Sequence, residues 1–323
     1  MTYQLREAIL DSEKEAVRTF LAGFGLRYDA DIDYTASLLV GGKIIATAST
    51  AGNIIKAVAV SPAWRGENLT GRLVSHLLSR FRERGIHHCK VFTKTENIPV
   101  FTSLNFRLLT KTEVTALLES KNGGIEEELS ALKKAYKVPE GPAAALVVNC
   151  NPFTLGHRYL IEWAAARHRT VLVFVVETDR SYFPFSDRFE LVKAGTADLQ
   201  NVIVLPSTSY VVSSFTFPDY FLKEVTAATD EQARLDAQIF KEYFVPAFNI
   251  EKRYLGSETD PVTLKYNQAL LECLNDAVTV VPRLENDREA ISASRVRQLH
   301  ERRDFTALAK LVPETTLSYL RQR

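Results

Sequence analysis

The stretch AAALVVNCNPFTLGHRYLIEWAAARHRTVLVFVVE, Ala143 to Glu177, decides the fold of the larger part of this chain. An expected strand from Ala143 to Asn149 leads into Cys150-Asn151-Pro152-Phe153-Thr154-Leu155-Gly156-His157. An amphipathic pattern starts at once with Arg158-Tyr159-Leu160-Ile161, and a second apolar run fills Thr170 to Val176. Runs that are apolar throughout, joined by a helix, predict parallel strands covered on both faces. The alternation continues with a helix from Asp187, a strand at Val202 to Leu205, helices across 217 to 245 and a strand at Arg253 to Leu255. A helix from Val262, a strand at Val278 to Val281 and terminal helices complete it. The expected class is α/β, built on an open parallel sheet.

Upstream the pattern changes. Short strands at Ser37 to Val40, Lys43 to Ala48 and Ile54 to Val60 precede a helical stripe of Leu73, Val74, Leu77, Leu78 and Phe81, which Gly85 stops before a strand at His88 to Thr93. That is an α+β arrangement. Asn122, Gly123 and Gly124, a charged helical stretch from Ile125 to Tyr136, and then Pro139, Gly141 and Pro142 mark a boundary. The expected division is a domain over 1–120, a linker with a short helix over 121–141, and a second domain over 142–323.

The chain has 323 residues, more than one core usually serves, so two domains agree with its length. Forty Lys plus Arg against thirty-nine Asp plus Glu leave a formal charge of +1, which gives no broad electrostatic reason to bind nucleic acid or an anionic membrane. Cys89, Cys150 and Cys273 form no CxxC pair, so neither a disulfide framework nor a thiolate zinc site is expected. The longest apolar stretch, Val171 to Val176, falls far short of the ~20 residues a membrane helix needs. The first residues, MTYQLREAILDSEKE, carry acidic groups where a signal peptide would be apolar. Cytoplasmic residence is the expectation.

In an open parallel sheet, ligands sit outside the carboxyl ends of the strands, and free N–H groups at a helix start attract phosphate. Gly156 permits close backbone approach, Thr154 offers a hydroxyl, and His157 lies in the first helical turn. The plainer alternative is an Asn-Pro turn with Gly156 easing packing and His157 capping a helix. No GxxxxGK[ST] occurs, and Gly23-Phe24-Gly25-Leu26-Arg27-Tyr28 lacks the third glycine of GxGxxG. His87 and His88 would face opposite sides of a strand with no acidic or Cys partner nearby, so no metal site is predicted.

Thr154-Leu155-Gly156-His157 after a parallel strand resembles the first signature of the nucleotidyltransferase superfamily, and Ile291-Ser292-Ala293-Ser294-Arg295-Val296-Arg297 resembles its second. The resemblance implies a Rossmann-like sheet and adenylyl transfer, in which an anionic acceptor attacks the α-phosphorus of ATP and pyrophosphate leaves. His157, Thr154 and Arg297 are then the expected catalytic donors, with Ser294 and the helix N–H groups beside them on the triphosphate, and Mg²⁺ is expected to neutralise its charge. Asn151, Phe153, Gly156, Ser292, Ser294, Gly256, Glu258 and Arg188 are the expected nucleotide-binding residues.

Three further blocks sharpen the likeness: Asn149 to Glu162, Phe174 to Phe185 with Glu177, Asp179 and Ser181, and Thr216 to Lys223. Together with Arg253-Tyr254-Leu255-Gly256-Ser257-Glu258 they resemble the citrate lyase ligase family across essentially the whole second domain. Membership implies an acid–thiol ligase forming AMP. It would activate acetate and acetylate the phosphoribosyl-dephospho-coenzyme A thiol of the citrate lyase acyl carrier subunit, with no nucleic-acid or membrane partner. Asp179, Arg180 and Ser181 are further candidates for acetate or pyrophosphate, and Arg253 for ribose or Mg²⁺. Arg188 has a second reading, an exposed helix charge paired with Asp187 or Glu190. The aromatic residues of Ser181 to Phe185 and Phe215 to Phe221 read as packing.

The first domain resembles an N-acetyltransferase (GNAT) fold through the strand Ile54 to Val60 and the turn Arg65-Gly66-Glu67-Asn68, where Asn68 replaces the usual second glycine. Acetyl-coenzyme A binding and a plain scaffold role stay open on that sequence. Cys150, beside the phosphate turn, is either a buried packing residue or an acetyl carrier, with packing favoured. Two other functions fit the same two signatures: an adenylyltransferase with a phosphorylated acceptor, of the pantetheine-phosphate or nicotinamide-mononucleotide type, and a non-catalytic nucleotide sensor.

Overall fold

The computed structural model describes residues 3–177, 181–211, 225–258, 261–286 and 289–323. The chain divides into two compact units, Met1–Gly124 with Phe217–Leu235, and Ile125–Thr216 with Asp236–Arg323.

The first unit contains β1 (Gln4–Glu7), α1 (Asp11–Ala22), β2 (Tyr34–Val40), β3 (Lys43–Ala51), β4 (Ile54–Val60), α2 (Leu69–Glu83), β5 (Lys90–Lys94), α3 (Ile98–Ser103), β6 (Phe106–Lys111) and β7 (Thr115–Ser120). The strands form one mixed sheet in the order β1-β2-β3-β4-β5-β7-β6. Only β4 and β5 run parallel, and they pair over Ile54↔Lys90 and Ile55↔Val91 alone. Leu73, Val74, Leu77 and Phe81 of α2 are buried as their helical spacing predicts. Gly85, with φ of +72°, follows the end of that helix. The side chain of Asn68 lies over the first turn of α2, so close that a β-carbon at Gly71 would collide with its Oδ1.

The second unit begins with α4 (Ile125–Ala135), β8 (Ala143–Val148), α5 (Leu155–Ala165), β9 (Val171–Val175), α6 (Phe185–Gly195) and β10 (Val202–Pro206). Next come α7 (Val225–Ile239), in which the division between units falls, a π-helical turn Phe240–Phe244, α8 (Val245–Phe248) and β11 (Ile250–Gly256). The unit ends with α9 (Pro261–Leu274), β12 (Val278–Val281), α10 (Ala293–Glu301), α11 (Phe305–Leu308) and α12 (Glu314–Arg321). All five strands are parallel, in the order β10-β9-β8-β11-β12. Every residue of β9 is buried, as the uninterrupted run of Val, Leu and Phe requires of a strand covered on both faces.

The strand order reverses between β8 and β11, and a parallel sheet opens a crevice at the carboxyl ends of the strands where its order reverses. The Thr154–His157 turn leaves β8 at that edge, and the Gly256–Glu258 segment leaves β11 beside it.

The division into units differs from the sequence-based boundaries at two places. Ile125, Leu129 and Leu132 bury one face of α4, so the expected linker helix is counted with the second unit, while Phe217–Leu235 is counted with the first. Among the described residues no helix is long and apolar enough to cross a membrane.

Candidate active site

Thr154 is the N-cap of α5, and its hydroxyl oxygen accepts the backbone N–H of His157 at 3.3 Å. The imidazole answers in kind: its Nδ1 accepts the backbone N–H of Thr154 at 3.1 Å and lies 2.9 Å from the Thr154 hydroxyl. This is a capping box with His in the place usually held by Glu or Gln. Since Nδ1 accepts from a backbone N–H, the neutral ring carries its proton on Nε2. Burial, reinforced by the positive charge of Arg283, pushes the His157 pKa down to about 4. The half-buried ring is therefore neutral at pH 7, and Nε2–H is its remaining donor. The Phe153 ring stacks behind it, with centroids 6.1 Å apart and planes 16° from parallel.

The second signature meets this turn directly. Ser292 caps α10 by accepting the backbone N–H of Arg295 at 3.2 Å. One turn further on, Arg297 donates from Nη1 to the carbonyl oxygen of Asn151 at 2.5 Å and from Nη2 to the Ser294 hydroxyl at 3.0 Å. Gly156 makes room for the approach, because a β-carbon there would stand 3.3 Å from the backbone oxygen of Ile291. His157, Arg297, Ser294 and Asn151 thus share one edge of the sheet.

Several expected ligand contacts take other parts. The Thr154 side chain is buried and committed to the cap, so its oxygen positions His157 rather than facing outward. Phe153 is fully buried and packs over Gly195, where a β-carbon would strike its ring. Asn151 accepts the backbone N–H of Phe183 through Oδ1 at 3.0 Å.

Arg188 neither faces outward nor pairs with Asp187 or Glu190. It is fully buried and donates from Nη1 to Asn149 O at 2.8 Å, Asn149 Oδ1 at 2.9 Å and Val176 O at 2.8 Å, and from Nε to Phe183 O at 3.0 Å. It gathers the chain leaving β8 and β9. Asp187 instead accepts from the Tyr319 hydroxyl and from Arg323.

Arg253, expected near ribose or a metal ion, is also buried. Its guanidinium sits 4.1 Å from the centre of the Phe240 ring and donates to the Tyr266 hydroxyl at 3.0 Å, and Tyr266 in turn donates to Asp236. Cys150 is 1% exposed, and burial pushes its thiol pKa strongly up. It stays protonated within the core formed with Val148, Phe153 and Ile161, which favours packing. Contrary to the expectation of no acidic partner, His88 lies 3.0 Å from the buried carboxylate of Glu119, which Arg107 also engages. The Ser181 hydroxyl donates to Asn149 Oδ1 at 3.3 Å, Phe183 is fully buried, and Asp179, Arg180 and the 212–224 stretch lie outside the described residues.

Gly256 ends β11 with open space where a β-carbon would stand, and its carbonyl accepts from Asn267 Nδ2 at 3.1 Å. Glu258 pairs with Arg283, a residue the sequence did not single out. Arg283 follows β12 by two residues, and its own backbone N–H is held by the Ser257 hydroxyl at 3.1 Å. Among the described residues no group of three or more His, Cys, Asp or Glu is gathered for a metal ion. Among the described residues Glu258 is one carboxylate at this edge that could join a cation carried by phosphates.

Residues 143–320 match the model of the citrate lyase ligase C-terminal domain. The [citrate [pro-3S]-lyase] ligase of Escherichia coli K12 is 37% identical over 314 residues, covering 94% of this chain and 89% of that protein. The enzyme of the same name from Klebsiella pneumoniae is 35% identical over 333 residues, covering 100% and 97%. A solved acyl-CoA N-acyltransferase from Pseudomonas aeruginosa is similar over 37% of this chain and 98% of its own, at 12% identity and a TM-score of 0.30. With a family model matching more than half of its length and relatives this similar from end to end, the chain belongs to the citrate lyase ligase family.

Proposed function

We propose that this protein is an ATP-dependent ligase that activates acetate as enzyme-bound acetyl-adenylate and passes the acetyl group to the phosphoribosyl-dephospho-coenzyme A thiol of the citrate lyase acyl carrier subunit. The observation that carries the reading is the bond from Arg297 to the Asn151 carbonyl, which ties the two nucleotidyltransferase signatures into one edge. Acetate is ionised at pH 7 and needs no base. Its oxygen forms a bond to the α-phosphorus of ATP as the bond to pyrophosphate breaks. Charge builds on the leaving oxygens, where fixed donors act most strongly. The His157 Nε2–H, the first N–H groups of α5, the Ser294 hydroxyl and Arg297 are those donors. Thr154, Asn151, Ser292, Phe153 and Arg188 hold them in place.

In the second step the carrier thiol gives up its proton, the sulfur attacks the acetyl carbon, and the carbon–oxygen bond to AMP breaks. Glu258 would be the protein ligand of a Mg²⁺ carried by the triphosphate, and that ion would supply charge neutralisation. Nothing in this scheme draws on Cys150. The need for ATP and three cysteines with no CxxC pair support a cytoplasmic setting.

The test is pyrophosphate exchange into ATP with acetate present or absent, followed by acetylation of the carrier subunit. Exchange that depends on acetate is the expected result. Exchange that requires a phosphorylated acceptor, or tight nucleotide binding without any exchange, would overturn the reading.

A further inference from the structure

The geometry points to Arg283 as a phosphate-contacting residue of the adenylylation step, parked on Glu258 until the triphosphate of ATP takes its guanidinium over; the inference rests on the function proposed above. Four observations carry it. β11 and β12 pair through Gly256↔Val281, so the segments leaving them emerge side by side at the edge that bears the His157 turn. The backbone is pinned there: Ser257 donates its N–H to Val281 O at 2.8 Å, and Arg283 donates its own N–H to the Ser257 hydroxyl. The side chains of Arg283 and Glu258 are 26% and 20% exposed, so the pair is largely withdrawn from water. The Arg283 charge also reaches the His157 ring.

A largely desolvated ion pair with a single carboxylate is a modest partner for a guanidinium that offers five donors. A triphosphate arriving at His157 brings more charge and more acceptor oxygens, and phosphate matches the planar fork of Arg better than one carboxylate does. Arg297, by contrast, already bonds to Asn151 and Ser294 and is fixed before the nucleotide enters. The site then has one anchored and one exchanging cation beside a neutral imidazole. Glu258 acts as a stand-in anion that keeps Arg283 extended towards the site.

Binding is measured without turnover, using α,β-methylene-ATP and, separately, inorganic pyrophosphate with no added metal. Arg283→Gln is expected to weaken both at least ~10-fold and to lower acetate-dependent exchange by ~10²-fold, with Arg283→Lys recovering part of each. Arg283→Lys also serves if the Gln variant does not fold. Glu258→Gln is expected to tighten pyrophosphate several-fold, since it removes the competing anion. The His157 titration, followed by NMR, should move up from about 4 in Arg283→Gln.

Unchanged affinity in both Arg283 variants, in a protein whose wild type performs acetate-dependent exchange, overturns the role of Arg283 alone. Weaker or equal pyrophosphate binding by Glu258→Gln overturns the parking. A wild type that binds the analogue but does not exchange strikes the proposed reaction instead, and leaves the binding comparison intact.

Discussion

Arg297 Nη1 donates to the carbonyl oxygen of Asn151 at 2.5 Å, joining two turns that lie 146 residues apart in the chain. The contact is charge-assisted, and the same guanidinium holds the Ser294 hydroxyl. Arg297→Ala is expected to reduce acetate-dependent exchange by ~10²-fold or more, because it removes the cation that the proposed reaction sets against the developing charge together with the tie between the turns. Arg297→Lys keeps the charge but cannot serve both acceptors in one plane. Exchange rates should therefore fall in the order wild type, Lys, Ala, and equal rates for Lys and wild type would contradict a role for the fork.

In the proposed reaction His157 couples the helix cap to the chemistry, and the two parts separate by substitution. Asparagine keeps an acceptor near the position of Nδ1 and loses the donor at Nε2. His157→Asn should hold the thermal midpoint close to wild type while exchange drops by ~10²-fold.

The pH behaviour has a definite sign. The pKa of about 4 in the folded protein lies below the free value of 6.5, so between them the unfolded chain takes up a proton that the folded one refuses. The contribution of His157 to stability is fully present above 6.5 and is lost as pH falls through the window to about 4. An NMR titration midpoint near 6.5 in the nucleotide-free protein would contradict a half-buried ring within reach of the Arg283 charge.

Much of this was legible beforehand because it follows from local patterns. The runs at Ala143–Val148 and Val171–Val175 are apolar at every position, which a strand open on one face would not be, and they became neighbouring parallel strands. Thr154 and His157 stand at N-cap and N3, a spacing that carries its own geometry.

The arginines were not legible. Taken one residue at a time, Arg188, Arg253 and Arg283 look alike. The first is buried because four carbonyl-type oxygens from the ends of β8, β9 and the following loop converge on it. The second is buried against Phe240 and Tyr266. The third is placed by pairing between β11 and β12. Each fate depends on tertiary neighbours distant in sequence, which spacing cannot encode.

Arg188 yields a stability prediction. Arg188→Met retains bulk but strands Asn149 O, Val176 O and Phe183 O without this donor, and one unpaired buried acceptor typically costs ~1–3 kcal/mol. A loss of about 3 kcal/mol or more in denaturant unfolding is expected, and Arg188→Lys should suffer nearly as much because one ammonium cannot span all four acceptors. If either variant unfolds like wild type, the turn after β8 is held by something else.

Cys150 lies close enough to the Thr154–His157 turn to invite a covalent role, and its surroundings argue against one. The side chain is buried among Val148, Phe153 and Ile161, and burial holds the thiol protonated far above neutral pH despite the opposing pull of Arg188. The thiolate is the nucleophile in acyl transfer, and here almost none exists. Cys150→Ala should therefore acetylate the carrier at close to the wild-type rate while losing on the order of 1 kcal/mol of stability to the small cavity left behind. Cys150→Ser should transfer equally well. Mass spectrometry of the wild type quenched with acetate and ATP, before carrier is added, should find no acetyl group on the peptide containing Cys150. An acetylated peptide that forms and decays at the turnover rate would instead place this sulfur on the reaction path.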